Sequence, residues 1–153
     1  MVKIGIIGHG NDKFTEYGKQ EACLKIRDIL KNKQEGDVFI SGHSPVGGID
    51  IWSEDIAKEL GYELEIKCPK QQIWNAEYGY KQRNIDIAQS SDILYIIVVK
   101  EYPKEYNGMK FGGCYHCNSK DHIKSGACWT GKQATNLKKE VIYCYIDNYK
   151  NDK

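Results

Sequence analysis

Lys3-Ile4-Gly5-Ile6-Ile7-Gly8-His9-Gly10 decides how the rest of the chain is read. An apolar run of strand length breaks off at a glycine turn. That is the pattern of a strand buried on both faces, not of one alternating between core and water. Working outward, Glu16 to Lys33 carries Ala22, Cys23, Ile26, Ile29 and Leu30 at helical spacing, with Gly36 as the stop. Asp37 to Ser41 is a second buried strand. Ile49, Trp52, Ile56 and Leu60 then mark a second helix that stops at Gly61. Glu63 to Cys68 is a third strand, ended by Pro69. A polar and aromatic loop, Lys70 to Tyr78, leads to a helix over Tyr80 to Ser90. Asp92 to Lys100 is the most hydrophobic strand and belongs near the sheet centre. A short helix from about Trp129 to Leu137 precedes the last strand, Glu140 to Ile146, and the tail from Asp147 to Lys153 reads as frayed.

Strands alternating with helices predict an α/β fold: a Rossmann-like, doubly wound, mostly parallel five-stranded sheet in three α/β/α layers. The 153 residues fit one domain, 1–153. Its one oversized connection is a Cys/His-rich insertion, 101–128, and loops of that length are usually functional or separately braced. No run approaches the roughly 18 apolar residues that span a bilayer, so no membrane role is expected. The amino terminus runs straight into a strand and leaves no room for a signal peptide, which predicts the cytoplasm. A formal net charge of +1 argues against a nucleic-acid binder with a strongly basic surface. Of 22 basic residues only Arg27 and Arg83 are arginine, so each draws notice.

In an open α/β sheet, ligands bind beyond the carboxyl ends of the strands. Three segments converge there: Gly8 to Asp12, Ser41 to Asp50, and the loop after the fourth strand. Gly10, Gly42, Gly47 and Gly48 allow backbone N–H groups to approach an anion, or simply make tight turns. Arg83, followed by Asn84, could pair with a phosphate or carboxylate, or be a solvated helix arginine. Asp50 and Glu54 lie on one helical face. Asp50 could accept from ribose hydroxyls or cap its helix. His9 and His43 could act as acids or phosphate donors, or be plain turn residues. Trp52, Trp74 and Trp129 could serve core, pocket or the face of a homodimer. Core is the expectation for Trp52, and stacking on a base for Trp74.

Taken in order, Ser41-Gly42, Gly48-x-Asp50, Glu54, Trp74, Gln82-Arg83-Asn84 and Ser91-Asp92-Ile93-Leu94 resemble the SLOG superfamily. This Rossmann-like group includes the cytokinin-activating phosphoribohydrolases and DNA-processing protein A; the nearest subgroup is that of small proteins with a Ser-Gly-Gly turn and an Arg-Asn pair. The resemblance spans about residues 2 to 147. It implies binding of nucleotides or ribose phosphates in the strand-end pocket, with Ser125 and Gly126 as the matching turn. It also implies, for some members, hydrolysis of the N-glycosidic bond of a nucleoside monophosphate. Those enzymes carry G-G-x-G-T-x-x-E, whereas Lys124 to Lys132 holds no glutamate. If turnover occurs, Asp50 and Glu54 are the acidic pair available to stabilise an oxocarbenium-like centre or activate water. Enzyme and non-catalytic sensor both stay open.

The six cysteines divide in two. Cys23, Cys68 and Cys144 fall on apolar patterns, as small core residues do. Cys114, Cys117, His122 and Cys128 form C-x2-C-x4-H-x5-C, a donor set suited to zinc. His116 is the substitute ligand for His122. The run resembles the retroviral-type zinc knuckle but is one residue longer before the last cysteine. A redox-active Cys114/Cys117 pair and plain reduced thiols are the competing readings. A knuckle binding nucleic acid, with Tyr115 and Ile123 stacking on bases, is the alternative function.

Overall fold

The structure, a computed structural model, describes residues 1–75, 77 and 79–150. In chain order it runs β1 (Lys3–Gly8), a 3-10 turn (Asn11–Lys13), α1 (Glu16–Leu30), β2 (Val38–Ser41), α2 (Ile49–Glu59), β3 (Glu63–Ile66), α3 (Tyr80–Ser90), β4 (Ile93–Val99), α4 (Gly126–Asn136) and β5 (Glu140–Ile146). The five strands pair in the order β3-β2-β1-β4-β5, and every pairing is parallel. β1 is therefore central, with Gly5 in register between Ile40 and Leu94.

The unbroken apolar strands are explained by two cores, one on each face. Ile6, Phe39, Ile97 and Val99 pack with Ala22, Ile26 and Leu30 of α1 and Ile49 and Ile56 of α2. Their strand neighbours Ile7, Val38, Ile40, Ile96 and Val98 turn to the opposite face, against Ile87 and Ala88 of α3 and Ala127 and Ala134 of α4. A strand with period-two side chains and both faces covered has no position left for water, so it reads as continuous hydrophobicity. The winding reverses between β1 and β4. Their carboxyl ends part there and leave the crevice in which this class of sheet binds ligands.

The fold is the predicted one, and several local expectations are corrected. Cys68 lies past the end of β3 and is exposed, so it is not a core residue, while Cys144 is buried and Cys23 half-buried. α4 begins at Gly126 rather than Trp129, because Ser125 caps it: its Oγ accepts from the Ala127 N–H at 3.0 Å. Trp52 is half-buried at the rim of the core, edge-on to Phe14. The tail is not frayed at Asn148, which is fully buried. Its Oδ1 accepts from the Thr15 N–H, and its Nδ2 donates to the carbonyls of Lys13 and Glu101. One amide thus joins the loops after β1, β4 and β5. Ala76 and Tyr78 of the predicted Lys70–Tyr78 loop, and Asn151 to Lys153, lie outside the described residues. Among the described residues no helix is long and apolar enough to cross a membrane.

Candidate functional site

A cavity of about 500 Å³ lies in the crevice where β1 and β4 part. Its floor comes from Gly8, His9 and Gly10 after β1, from Asp50 in the first turn of α2, and from Arg83 and Asn84 on α3. Ser125, Gly126 and Ala127, the amino end of α4, form one side. Trp74 and Tyr80 form another, and the long loop adds Tyr102, Tyr106 and Phe111. Lys13 and Lys124 complete the lining.

The close approach of these segments depends on Gly48. It holds φ +79°, and a Cβ there would sit 2.5 Å from the His9 oxygen and the Gly10 carbonyl carbon. No side chain fits, and the Ile49 N–H donates to the His9 carbonyl at 3.1 Å. Gly47 shapes the same turn, and neither glycine lines the cavity. Gly42 stands just behind: its carbonyl accepts from Arg83 Nη1, and a Cβ on it would crowd Asp50 Oδ2 at 2.7 Å.

His9 is buried and both its ring nitrogens are engaged. The Val99 N–H donates to Nδ1 at 3.0 Å, so the ring proton sits on Nε2, which faces the Lys124 carbonyl at 3.2 Å. Burial first, and Lys13 and His122 nearby, lower its pKa to about 4 against the weaker pull of that carbonyl. A neutral ring held by two backbone groups acts as a tether between the β4 end and the Lys124 segment, at the wall of the cavity. His43 is exposed, in the left-handed region at φ 45°, and its Nδ1 lies 3.0 Å from both Glu54 carboxylate oxygens. Neither His43 nor Glu54 lines the cavity. The acidic pair is therefore split: Asp50 faces the ligand space and Glu54 is held by His43.

The two arginines have separate fates. Arg27 pairs with Glu59 on the surface, whereas Arg83 is buried. Arg83 Nε donates to Asn84 Oδ1 at 2.6 Å, and Nη1 lies 3.5 Å from Asp50 Oδ2. Burial raises the Asp50 pKa to about 6 despite Arg83 and the backbone N–H groups of Ser44 and Gly8. The folded state then binds a proton more tightly than the unfolded state between pH 3.8 and about 6, so Asp50 ionisation subtracts stability as pH rises through that window. His9 has the opposite sign. Its contribution is present above pH 6.5 and is lost as pH falls toward about 4. The two slopes offset each other in the native protein. Asp50→Asn uncovers the His9 slope, and its stability relative to wild type improves by about 2 kcal/mol between pH 4 and pH 7. Urea midpoints across that range check this. A difference that stays flat would mean Asp50 titrates normally.

The second cluster sits beside the first. The ligand atoms of Cys114, Cys117, His122 and Cys128 all lie within 4.8 Å of one another. His122 Nε2 is 3.3 Å from Cys117 Sγ and 3.1 Å from Cys128 Sγ. Cys114 and Ser119 exchange backbone hydrogen bonds at 2.8 and 3.2 Å, closing a tight hairpin around the C-x2-C turn. Burial works against a Cys114 thiolate but is outweighed by the N–H groups of Ser125, Cys117 and His116, which hold its pKa below the ordinary thiol value. Burial and the neighbouring thiolates push Cys128 far up. Three thiols crowded together, two of them buried, oppose one another's ionisation, which a cation would relieve, and the cluster could hold a metal ion.

Sequence reading missed Lys13, Tyr80, Tyr102, Tyr106, Phe111 and Lys124. A signal existed for the loop residues: three aromatics follow β4 at a sheet edge already expected to bind. Lys13 carried none, because its place over the Tyr106 ring, 4.5 Å from the centroid, is a tertiary contact. No family model matches the sequence, and no curated protein matches it significantly. Solved structures do. The structural-genomics target TM1055 is 13% identical with a TM-score of 0.56, over 92% of this chain and 72% of its own. The molybdenum cofactor carrier protein of Chlamydomonas reinhardtii is 17% identical with a TM-score of 0.58, over 93% and 75%. At these identities what is shared is the Rossmann-like fold.

Proposed function

We propose that the cavity binds a nucleotide-derived small molecule, a nucleoside phosphate or an ADP-ribose-like compound. One observation carries this: three cations, Lys13 (paired with Asp12 at 3.1 Å), Arg83 and Lys124, and one carboxylate, Asp50, line a pocket walled by Trp74, Tyr80, Tyr102, Tyr106 and Phe111. Cations select a phosphate, and aromatic faces select a ring. The amino end of α4, at Ser125 to Ala127, adds backbone donors and its partial positive charge. Trp74 is the stacking candidate, edge-on to Trp129 at 5.0 Å and so held in place. That a protein of this fold carries a cofactor supports a small-molecule role for the crevice.

The shared fold and the order of motifs support placing the chain in the SLOG superfamily. Binding is favoured over hydrolysis, since Asp50 alone of the two carboxylates reaches the ligand space. The Cys114, Cys117, His122, Cys128 set holds zinc in this reading, as a structural site with four protein ligands and no open position. Thermal shift and calorimetry with AMP, ADP-ribose, adenosine and orthophosphate test the pocket. AMP and ADP-ribose should stabilise the chain more than adenosine does. If none of the phosphorylated compounds binds, the reading fails. Free adenine appearing on incubation with AMP would instead establish turnover.

A further inference from the structure

We infer that metal in the Cys/His cluster orders the segment that supplies the anion-binding side of the pocket, so that metal occupancy sets ligand affinity. This rests on the pocket reading above. The two sites share one short stretch of chain. His122 and Cys128 are ligands of the cluster, and the residues between them include Lys124, Ser125, Gly126 and Ala127, all of which line the cavity. A metal binding both ends of the stretch fixes the span of the residues in between.

Cross-links of other kinds repeat the connection. The Ser125 N–H, in the residue that caps α4, is among the backbone groups that favour a Cys114 thiolate. Lys124 Nζ lies 4.8 Å from the Phe111 ring centroid and 5.0 Å from that of Tyr115, so the pocket's cation is held by rings flanking Cys114. On the far side the stretch is tied to the sheet through the His9 contact with the Lys124 carbonyl and a long bond from the Ile123 N–H to the Val99 carbonyl at 3.4 Å. Those bonds and the Ile123 side chain, buried in the core, anchor the segment at one end, and a metal would tie its other end, Cys128, to the same point. Inside the cluster, His122 is 1% exposed, and its Nδ1 finds no hydrogen-bond partner among the described residues. Its Nε2 faces only sulfurs, which are weak partners, so the burial of this imidazole is compensated when Nε2 binds a cation.

The test compares the full chain loaded with Zn²⁺, stripped with chelator, and reloaded. Metal content is measured by mass spectrometry, amide hydrogen exchange is followed over 122–128, and AMP affinity is determined by calorimetry. Stripping should speed exchange across 122–127 while β1 and β4 stay protected. It should weaken AMP binding by about tenfold or more, and Zn²⁺ should restore both. In loaded protein, Lys124→Ala should weaken AMP without loss of metal. If the stripped chain unfolds outright, Cys117→Ser, which alters the exposed ligand and leaves three buried ones, takes its place with the same expectation. Unchanged exchange, or AMP affinity equal with and without metal, overturns the inference while leaving the pocket intact. A chain that takes up no metal overturns it too. A loaded chain that ignores AMP refutes the pocket itself, and the inference falls with it.

Discussion

Arg83→Met lowers AMP affinity by about a hundredfold or more, corresponding to roughly 3 kcal/mol of binding free energy. Arg83 is buried and does three things at once. It donates to the Gly42 carbonyl and to Asn84 Oδ1, and it lies 3.5 Å from Asp50 Oδ2. Methionine keeps much of the volume and removes all three, together with the charge a phosphate would meet. Asp50 then loses its cation, so its pKa climbs further and a larger share of it is neutral near pH 7. That neutralisation softens the stability loss, so the chain should fold and the effect should show in binding. Arg83→Lys should not rescue, because one ammonium cannot reproduce the planar fork that spans Gly42 and Asn84. Calorimetry on folded variants reads this directly. AMP affinity within about threefold of wild type would remove Arg83 from the site.

Cys128→Ser should cost about 4 kcal/mol and lower the melting temperature by about 10 °C. Cys128 is fully buried, on the first turn of α4, and its sulfur lies 3.1 Å from His122 Nε2. Serine is a poor ligand for a soft borderline cation and leaves a three-donor site. The loss falls on a long loop anchored to the core by Ile123 and to the β5 tail by Asn148, with mostly local contacts between: a hairpin between Cys114 and Ser119, a stacked Tyr102–Tyr106 pair, and the Phe111 N–H donating to Tyr102 Oη. Chelator should reproduce the shift in wild type and add nothing in the variant. Cys68→Ser, at an exposed thiol outside the cluster, is the matched control and should change nothing. A wild-type melting curve indifferent to chelator would refute a structural metal.

Ile7, Gly8 and Val98 show why the fold was legible. Apolar runs without alternation can be satisfied only by a sheet covered on both faces, and the helices between them leave a parallel doubly wound order. The cluster was legible for a similar reason. Cys114, Cys117, His122 and Cys128 are close in sequence, so their spacing alone limits where their side chains can go. Asn148 was not legible, since the buried backbone groups it satisfies belong to loops more than forty residues away. Helical spacing placed Glu54 beside Asp50, but its carboxylate is held by His43 and does not line the cavity.

Local periodicity, glycine position and short-range donor spacing thus determined the layers, the strand-end location of the crevice and the four metal-ligand candidates, because each follows from chain geometry over a few residues. Tertiary structure alone decided which side chains share the cavity. Lys13, Tyr106 and Lys124 come together only once β1 and β4 lie side by side, and His9 becomes a neutral tether only when Val99 and Lys124 close on its ring. Pairing of that kind depends on distances between elements, and those are set by the packing of two cores rather than by any local pattern.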